Sequence, residues 1–425
     1  MGWPVFKSLS KRHFGASWSL LRYLHTNTVR KLCCDKKLYE DITEPIKKSP
    51  PWNVMFFGTD EFALRSLESL HKEQQRGGLI ERLDVVSVPL RKSVTAVRRY
   101  CQKEGLWLIE WPVTVPQGVY DVGIVASFGH LIPASVIKAF PMGIINVHGS
   151  LLPRWRGAAP VIHALLNQDQ ETGITLMRIA PHRFDVGQLV SRVKVPVQWN
   201  IKSKELTAHL AKVGAQELLS ILPNLPQHLR DARPQTSEGI TKAPKINEAS
   251  SRVCWGEWSC NNIQAHYRAL DDYTPLWSLW QGTPVKLRAM VMQEALSTSK
   301  RDAETLKVPP QAGRARNVKE NISTKSISGV KSFKSDCTVK NDFVVENSTI
   351  THPCHSVDIK SQRMDVIEMT GSVVYDRKAK AIKVRCRDGW VAFQCVLLKG
   401  RKLMTAQDFY NGFISKISKD LHRFT

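Results

Sequence analysis

A series of short apolar runs alternates with helix-compatible segments between residues 52 and 225, and this alternation constrains the fold more than any other feature. The runs at 52–57, 121–127 and 143–147 are predominantly apolar, as strands buried on both faces are. Helix-compatible sequence occurs at 61–74, 95–104, 159–166 and 203–222. Strands that alternate with helices predict βαβ units and therefore an α/β domain on a parallel sheet.

The pattern changes after residue 225. Prolines and polar residues cluster at 223–244, which predicts a linker over 226–248. From 249 to 420, short runs rich in Trp, Val and Leu are separated by turn signals, which predicts a smaller β-rich domain. The segment 293–365 contains no Trp and no Tyr. It has few side chains that could form a core, so we expect a disordered insertion that interrupts this domain.

The first 34 residues have the composition of a targeting segment. They carry six basic residues and no acidic one, and Asp35 is the first carboxylate. Phe14, Trp18 and Leu21 follow helical spacing and form an apolar stripe beside the bases. This pattern is typical of a mitochondrial presequence and predicts a location in the mitochondrial matrix. The alternative is a basic tail that binds RNA or lipid.

The charge balance points to an anionic partner. The chain has 61 Lys and Arg against 38 Asp and Glu, a net charge of +23. Nucleic acid or an acidic membrane surface would both fit this excess. No apolar stretch approaches the ~18 residues of a membrane span, so an integral membrane protein is excluded. The cysteines form no C-x-x-C pair, and we predict no metal site.

Three side chains have the chemistry of an acyl-transfer site. Asn146 and His148 lie two positions apart at the end of a strand candidate, so both face the same side at the carboxyl edge of the sheet. Asp185 follows in a turn between two strand candidates. An amide can donate to a developing oxyanion, an imidazole can donate or carry a proton, and a carboxylate can orient the imidazole. No covalent nucleophile is evident, which favours direct attack by a substrate amine. Spacing alone leaves a structural role open for each residue.

The run NVHGSLLPRWRGAAP at 146–160 closely resembles the signature of the folate-dependent formyltransferases. Its ending, RWRGAAP, is similar to that of the methionyl-tRNA formyltransferases within this family. Further similar segments are FFGTDEFAL at 56–64, VASFGHLIP at 125–133, ETGITLM at 171–177, FDVGQL at 184–189, ALDDYTPLWSLWQGTPVKL at 269–287 and GRKLMTAQDFYNGF at 400–413.

The resemblance implies an α/β fold, with a Rossmann-like formyltransferase domain at 52–225 and a smaller OB-like β-barrel domain at 249–420. It implies transfer of a formyl group from 10-formyltetrahydrofolate to the methionine amine of initiator methionyl-tRNA, without a metal. The family's catalytic residues correspond to Asn146, His148 and Asp185. Its folate-contacting turn corresponds to Ser150, Leu151, Leu152 and Pro153.

Two groups of basic side chains are predicted to contact tRNA phosphates. The first lies in the segment 89–99, which is shorter than the basic loop of bacterial relatives, and comprises Arg91, Lys92, Arg98 and Arg99. The second lies in the β-rich domain, on one face of the strand candidate at 381–386 and in a following loop, and comprises Lys383, Arg385, Arg387, Lys399, Arg401 and Lys402.

Two alternatives to this function remain at the level of sequence. One is a formyltransferase that acts on another amine, such as a sugar nucleotide or a purine precursor. The other is a non-catalytic RNA-binding relative that keeps the fold. The basic second domain argues against the first alternative, and the presence of Asn146, His148 and Asp185 argues against the second. We expect a monomer that does not bind membranes.

Overall fold

The structure is a computed structural model that describes residues 47–89, 93–292 and 369–425. These residues fall into two units. The first runs to Val253 and also includes residues 262–278 and 286–288, and the second consists of residues 254–261, 279–285 and those from 289 onward. The predictions for the presequence at 1–34, for the insertion at 293–365, and for Arg91 and Lys92 concern residues outside the described ranges.

The first unit is built on a seven-stranded sheet. Its strands are β1 (Trp52–Gly58), β2 (Ile80–Ser87), β3 (Leu108–Glu110), β4 (Val122–Ala126), β5 (Ile144–His148), β6 (Glu171–Arg178) and β7 (Gln188–Pro196). They are arranged in the order β3-β2-β1-β4-β5-β6-β7. The first five strands pair in parallel, whereas β6 pairs antiparallel with both β5 and β7. The prediction of a parallel sheet is therefore correct for five strands and wrong for the last two. No helix joins β6 to β7, and a parallel pair would need a crossover.

Helices pack against this sheet and against one another. They are α1 (Glu61–Gln75), α2 (Ala96–Glu104), α3 (Ala134–Ile137), α4 (Pro160–Leu166), α5 (Ser203–Ile221) and α6 (Leu225–Arg230). A further helix, α7 (Cys260–Leu270), lies mostly in the first unit. Asp60 caps the start of α1, because its carboxylate accepts from the backbone N–H groups of Phe62 and Ala63. Gly214 lets α5 lie close to β5, since a Cβ at this position would come within 2.7 Å of Val147.

The predicted linker, residues 226–248, packs within the first unit. Leu189 and Arg233 exchange two backbone hydrogen bonds beside β7, and Arg156 forms a bridge with Lys242. This segment therefore contributes backbone pairing to the unit that carries β5. Among the described residues, no helix combines the length and the apolar composition that a membrane span requires.

The second sheet is antiparallel and lies mostly in the second unit, although β8 and β9 include a few residues assigned to the first. Its strands are β8 (Trp277–Trp280), β9 (Thr283–Val291), β10 (Val373–Asp376), β11 (Ala381–Arg385), β12 (Trp390–Leu398) and β13 (Met404–Thr405), followed by α8 (Ala406–Gly412). The order is β10-β11-β12-β9-β8, and β13 pairs with β12. The last residues of the chain bridge the two edges, because Phe424 pairs with Trp280 and Arg423 pairs with Ser372. This closure gives the predicted OB-like β-barrel, and the sequence did not indicate that the C-terminus completes it.

Candidate active site

The three side chains predicted to act together lie together. Asn146 and His148 occupy the carboxyl end of β5 on the same face, and Asp185 lies in the connection between β6 and β7. Asn146 Nδ2 is 3.4 Å from Asp185 Oδ1, and His148 Nδ1 is 3.5 Å from the same oxygen. His148 and Asp185 are only 6% and 9% exposed. One carboxylate oxygen therefore faces both an amide and an imidazole in a largely buried position.

The backbone around His148 determines which ring nitrogen carries a proton. Nε2 lies 3.0 Å from the carbonyl oxygen of Trp155, which can only accept, so Nε2 donates to it. The other ring nitrogen, Nδ1, then faces Asp185 Oδ1. Nδ1 is therefore the ring nitrogen on the side of the carboxylate. The sequence analysis assigned the orientation of His148 to Asp185, but the Trp155 carbonyl also fixes the ring.

Asp185 is held in an unusual backbone conformation. Its φ is +54°, in the left-handed region that non-glycine residues rarely adopt. Its Oδ2 accepts from the Gly157 N–H at 2.9 Å. Gln235 bonds the backbone at and after Asp185, because its Nε2 donates to the carbonyls of Asp185 and Gly187 at 3.0 and 2.9 Å. Neither Gly157 nor Gln235 was predicted from the sequence as a site residue.

Gly157 belongs to the RWRG turn and has a φ of +131°. A Cβ at this position would lie 2.5 Å from the backbone oxygen of Ala243. The glycine is thus required for close approach of the 226–248 segment, and it also presents its N–H to Asp185. The resemblance covered this residue within the signature run, but it gave no role to it.

A cleft of about 810 Å³ opens above the three side chains. Apolar side chains form much of its wall, among them Phe62, Phe128, Ile132 and Val161. The turn after β1 adds two polar side chains, Thr59 and Asp60, and the loop after β4 adds His130. Four basic or aromatic residues that the sequence analysis did not single out also line the cleft and are exposed: Arg183, Phe184, Lys245 and Tyr273.

Several of these cleft residues lie within or next to sequence motifs. Thr59 and Asp60 fall in the run FFGTDEFAL, and Phe184 directly precedes Asp185. Phe184 is 57% exposed and Tyr273 is 59% exposed. Large exposed aromatic side chains beside a cleft are a recurrent sign of a contact surface. Lys245 comes from the predicted linker, so only the fold could bring it to the cleft.

The predicted folate-contacting turn, Ser150 to Pro153, does not line the cleft. The side chains of Ser150 and Leu152 are fully buried. The Ser150 hydroxyl donates to the Arg154 carbonyl at 2.7 Å, and Thr175 donates to the Ser150 carbonyl at 2.6 Å. The turn thus anchors the strand end that carries His148, whereas its contact with folate stays a prediction.

Of the first basic group, Arg98 is wrongly assigned. Its side chain is buried and donates to the Val88 carbonyl at 2.9 Å and to Glu110 at 2.8 Å. It therefore stabilises the segment before α2 and is not available to a tRNA phosphate. Sequence alone gave no sign of this, because the exposure of a basic residue near a helix start depends on the packing of that helix. Arg99 is exposed.

The second basic group has the predicted alternation. Ile382, Val384 and Cys386 are fully buried, whereas the residues between them point outward. Their surroundings differ, because Lys383 pairs with Asp376 at 2.6 Å and Arg385 lies 5.9 Å from the ring of Trp390. Four residues of this group are exposed: Arg387, Lys399, Arg401 and Lys402.

The second unit also brings two thiols and a carboxylate together. The Sγ atoms of Cys260 and Cys386 are 3.3 Å apart, and Cys386 Sγ is 3.6 Å from Asp388 Oδ1. These residues could offer three metal ligands. Burial and then the neighbouring Cys386 raise the pKa of the Cys260 thiol. Cys260 and Cys386 are distant along the chain, so this cluster depends on the fold.

Comparisons with known proteins identify the family. The family model described as formyl transferase matches residues 114–222, and the one described as formyl transferase, C-terminal domain, matches residues 346–414. A relative named methionyl-tRNA formyltransferase, mitochondrial, from Mus musculus is 37% identical over 372 residues, which cover 87% of this chain and 80% of the relative. The chain is therefore a formyltransferase enzyme. It belongs to the methionyl-tRNA formyltransferase family.

More distant proteins are similar over smaller parts of the chain. A methionyl-tRNA formyltransferase of Rhizorhabdus wittichii is 33% identical over 252 residues, covering 56% of this chain and 78% of the relative. Among solved structures, WlaRD, a sugar 3N-formyl transferase in the presence of dTDP and 5-N-formyl-THF, is similar with a TM-score of 0.45 and 17% identity. That match covers 58% of this chain and 92% of WlaRD.

Proposed function

We propose that this enzyme transfers the formyl group of 10-formyltetrahydrofolate to the amino group of methionine esterified to initiator tRNA. The product, formylmethionyl-tRNA, would serve translation initiation in mitochondria. The observation that carries this proposal is the convergence of Asn146, His148 and Asp185 on the floor of one cleft, in a member of the methionyl-tRNA formyltransferase family.

Asn146 and His148 supply the groups that an oxyanion requires. One N–H of the Asn146 amide points toward Asp185 at 3.4 Å, which leaves the other for the formyl oxygen. His148 would be the second donor, through an N–H at Nδ1 that turns toward the same oxygen as negative charge develops on it. Donors that are already in place need no reorganisation when the amine attacks, and this is the main source of such rate enhancement.

Asp185 completes the proton transfers. The attacking methionyl amine is neutral, and it loses a proton as the carbon–nitrogen bond forms. A carboxylate at the floor of the cleft is within reach of that proton. The same proton can then return to the tetrahydrofolate nitrogen as it leaves, so that protons balance without an external acid or base.

The cleft suits a folate donor in size and polarity. Its volume of about 810 Å³ falls in the range of sites for drug-sized ligands. Phe62, Phe128 and Val161 provide apolar walls for a pterin and its aminobenzoyl group, and Asp60 and His130 provide polar atoms. The buried turn at 150–153 would act here by shaping the floor of the cleft, in addition to any contact with folate.

We further propose that the two domains have different functions. The domain assigned to 52–225 would carry the chemistry, and the barrel domain assigned to 249–420 would bind tRNA through its exposed basic side chains. Arg387, Lys399, Arg401 and Lys402 support this because they are exposed. Salt-dependent binding is expected from such a surface.

The proposed location is the mitochondrial matrix, and the proposed state is a monomer. The mitochondrial relatives and the acid-free segment 1–34 support this location. A fusion of residues 1–34 to a fluorescent protein should enter mitochondria, and a cytosolic distribution would contradict the presequence.

The formylation assay tests the proposed function directly. Purified protein starting at residue 35 is incubated with charged initiator tRNA and formyl-labelled 10-formyltetrahydrofolate, and formylmethionine is quantified after hydrolysis of the ester. Matched reactions contain charged elongator tRNA or an amino sugar nucleotide in place of the initiator tRNA. Formylation of the sugar nucleotide in preference to methionyl-tRNA would identify the first alternative. The absence of any transfer would favour an RNA-binding relative.

A further inference from the structure

We infer that Gln235 and Arg156 form a positioning pair that holds Asp185 in its working conformation. This inference rests on the proposed function, because it assumes that Asp185 takes part in the chemistry. Neither residue touches the reacting atoms, so the pair would act only through the backbone of Asp185. Gln235 comes from the segment for which the sequence predicts a linker.

Gln235 bonds the backbone at Asp185 and two residues after it. Its side-chain Nε2 donates to the Asp185 carbonyl at 3.0 Å and to the Gly187 carbonyl at 2.9 Å. The two protons of one amide nitrogen thus connect two carbonyls of the same turn. A turn bonded in this way cannot rotate about Asp185 without breaking at least one hydrogen bond.

Arg156 fixes the orientation of that amide. Its Nε and Nη2 both donate to Gln235 Oε1, at 3.1 and 2.5 Å. With the oxygen engaged by a cation, the amide nitrogen is directed toward the turn. Burial lowers the pKa of Arg156 and the charge of Asp185 opposes this shift, which places the guanidinium within the electrostatic influence of that carboxylate.

Asp185 needs such support because its backbone conformation is strained. A φ of +54° is disfavoured for a residue with a Cβ, and such residues persist only where neighbouring structure enforces them. In this conformation Oδ1 faces both Asn146 and His148, and Oδ2 accepts from the Gly157 N–H. Without Gln235, the carbonyls of Asp185 and Gly187 would lose the bonds that help to hold this conformation.

The consequence would be a loss of turnover without a matching loss of binding. Methionine has about the volume of glutamine and no hydrogen-bonding amide, so Gln235→Met removes the bonds and keeps the packing. We expect kcat to fall about 10- to 100-fold, the scale of a misplacement of about 1 Å. The KM for the folate donor should stay within about twofold, because Gln235 does not line the cleft. Gln227→Met is the matched control, since Gln227 lies in the same segment and bonds only to Asp231 and Arg230.

A double-variant test separates positioning from a general structural role. If Gln235 acts through Asp185, Gln235→Met in an Asp185→Asn background should cause no further loss of kcat. Losses that multiply in the double variant would overturn the inference. Arg156→Lys keeps the positive charge and loses the two-pronged contact, so it should lower kcat less than Gln235→Met and behave in the same way with Asp185→Asn. This second variant decides the matter if Gln235→Met does not fold.

The outcomes also distinguish this inference from the proposed function. If Asp185→Asn keeps wild-type turnover, the role of Asp185 itself is wrong. If Asp185→Asn abolishes turnover while Gln235→Met retains wild-type kcat, the proposed function stands and the positioning pair is wrong.

Discussion

At the scale of single residues, a backbone carbonyl helps to orient His148. The carbonyl of Trp155 accepts a hydrogen bond from Nε2–H, so Nδ1 is the nitrogen that faces Asp185. Trp155 itself has a φ of +64°, which turns its carbonyl toward the ring. The RWRG turn therefore contributes its carbonyl at Trp155 and its N–H at Gly157 to the two ends of the His148–Asp185 pair.

Replacement of either donor should remove most of the activity. Asn146→Ala or His148→Ala should lower turnover roughly a hundredfold or more, because each change removes a hydrogen-bond donor to the developing oxyanion. The formylation assay at saturating substrates measures this. His209→Ala, which changes an exposed histidine on α5, serves as the control. Turnover like that of the wild type in either site variant would show that the residue has another role.

The charge of Asp185 can be removed without a change of volume. Asp185→Asn should abolish most turnover, because the amide is uncharged beside His148 and cannot accept a proton from the amine. Kinetics over a range of donor concentrations distinguish this from a binding role. Full turnover at saturating folate with a raised KM would make Asp185 a ligand contact only. Asp231→Asn, an exposed aspartate of the first unit, should behave like the wild type.

At the scale of elements, β11 shows that period-two alternation predicts which side chains are buried but not which exposed side chains are paired. The pattern correctly placed Ile382, Val384 and Cys386 inside the barrel. It did not reveal that the outward Lys383 is already paired. The hydrogen bond from Lys383 lowers the pKa of Asp376 to about 2, so Asp376 is ionised at neutral pH and offsets the lysine.

The outward face of β11 should contribute to tRNA binding. Changing Lys383, Arg385 and Arg387 to Ala together should weaken tRNA binding and lower the salt slope of affinity by about one for each lost phosphate contact. We expect Arg387→Ala to account for more of the effect than Lys383→Ala, because Lys383 is neutralised by Asp376. Fluorescence titrations at several salt concentrations measure the slope, with Lys204→Ala and Lys212→Ala on α5 as the control. An unchanged slope would move the assignment to Lys399, Arg401 and Lys402.

Helix α7 carries a titratable group that should make stability depend on pH. Burial lowers the pKa of His266, so the unfolded chain binds a proton at higher pH than the folded one. The stabilisation from this group is complete above the unfolded pKa of about 6.5 and is lost as the pH falls through the lower folded value.

The change His266→Gln should therefore flatten the pH dependence below neutrality. The unfolding free energy of the first unit should fall less steeply between about pH 7 and 5 than in the wild type, by at most about 1.4 kcal/mol per pH unit. Denaturant titrations across this range provide the measurement. His209→Gln, at an exposed position, should leave the slope as it is. Identical slopes for His266→Gln and the wild type would contradict the prediction.

At the scale of the whole molecule, the segment between β9 and β10 is predicted to be dispensable. Deletion of residues 300–360 should leave formylation and thermal stability nearly intact, because the composition of this segment offers few contacts and loop length affects closure entropy only weakly. Thermal denaturation and the formylation assay measure the two properties. Replacement of the same residues by a Gly/Ser segment of equal length controls for chain length. A large loss of stability in both variants would mean that the segment contributes to the fold.

The sequence by itself determined the features that arise from neighbouring residues. Strand and helix periodicity predicted the layers of the first domain, and the strand end with Asn146 and His148 two residues apart predicted their common face. The signature run at 146–160 predicted the enzyme family. These signals are strong because the spacing of residues within one element directly sets where their side chains point.

Only the tertiary structure decided what depends on residues far apart in the chain. Gln235 reaches a turn 50 residues earlier, and Cys260 meets Cys386 across 126 positions. Arg98 on α2 is buried by the packing around that helix. The antiparallel pairing of β6 with β5 and β7 is likewise visible only in the assembled sheet. No local pattern encodes such contacts. They follow from the packing of complete elements, and packing determines which polar side chains are buried, which are exposed, and which partners they find.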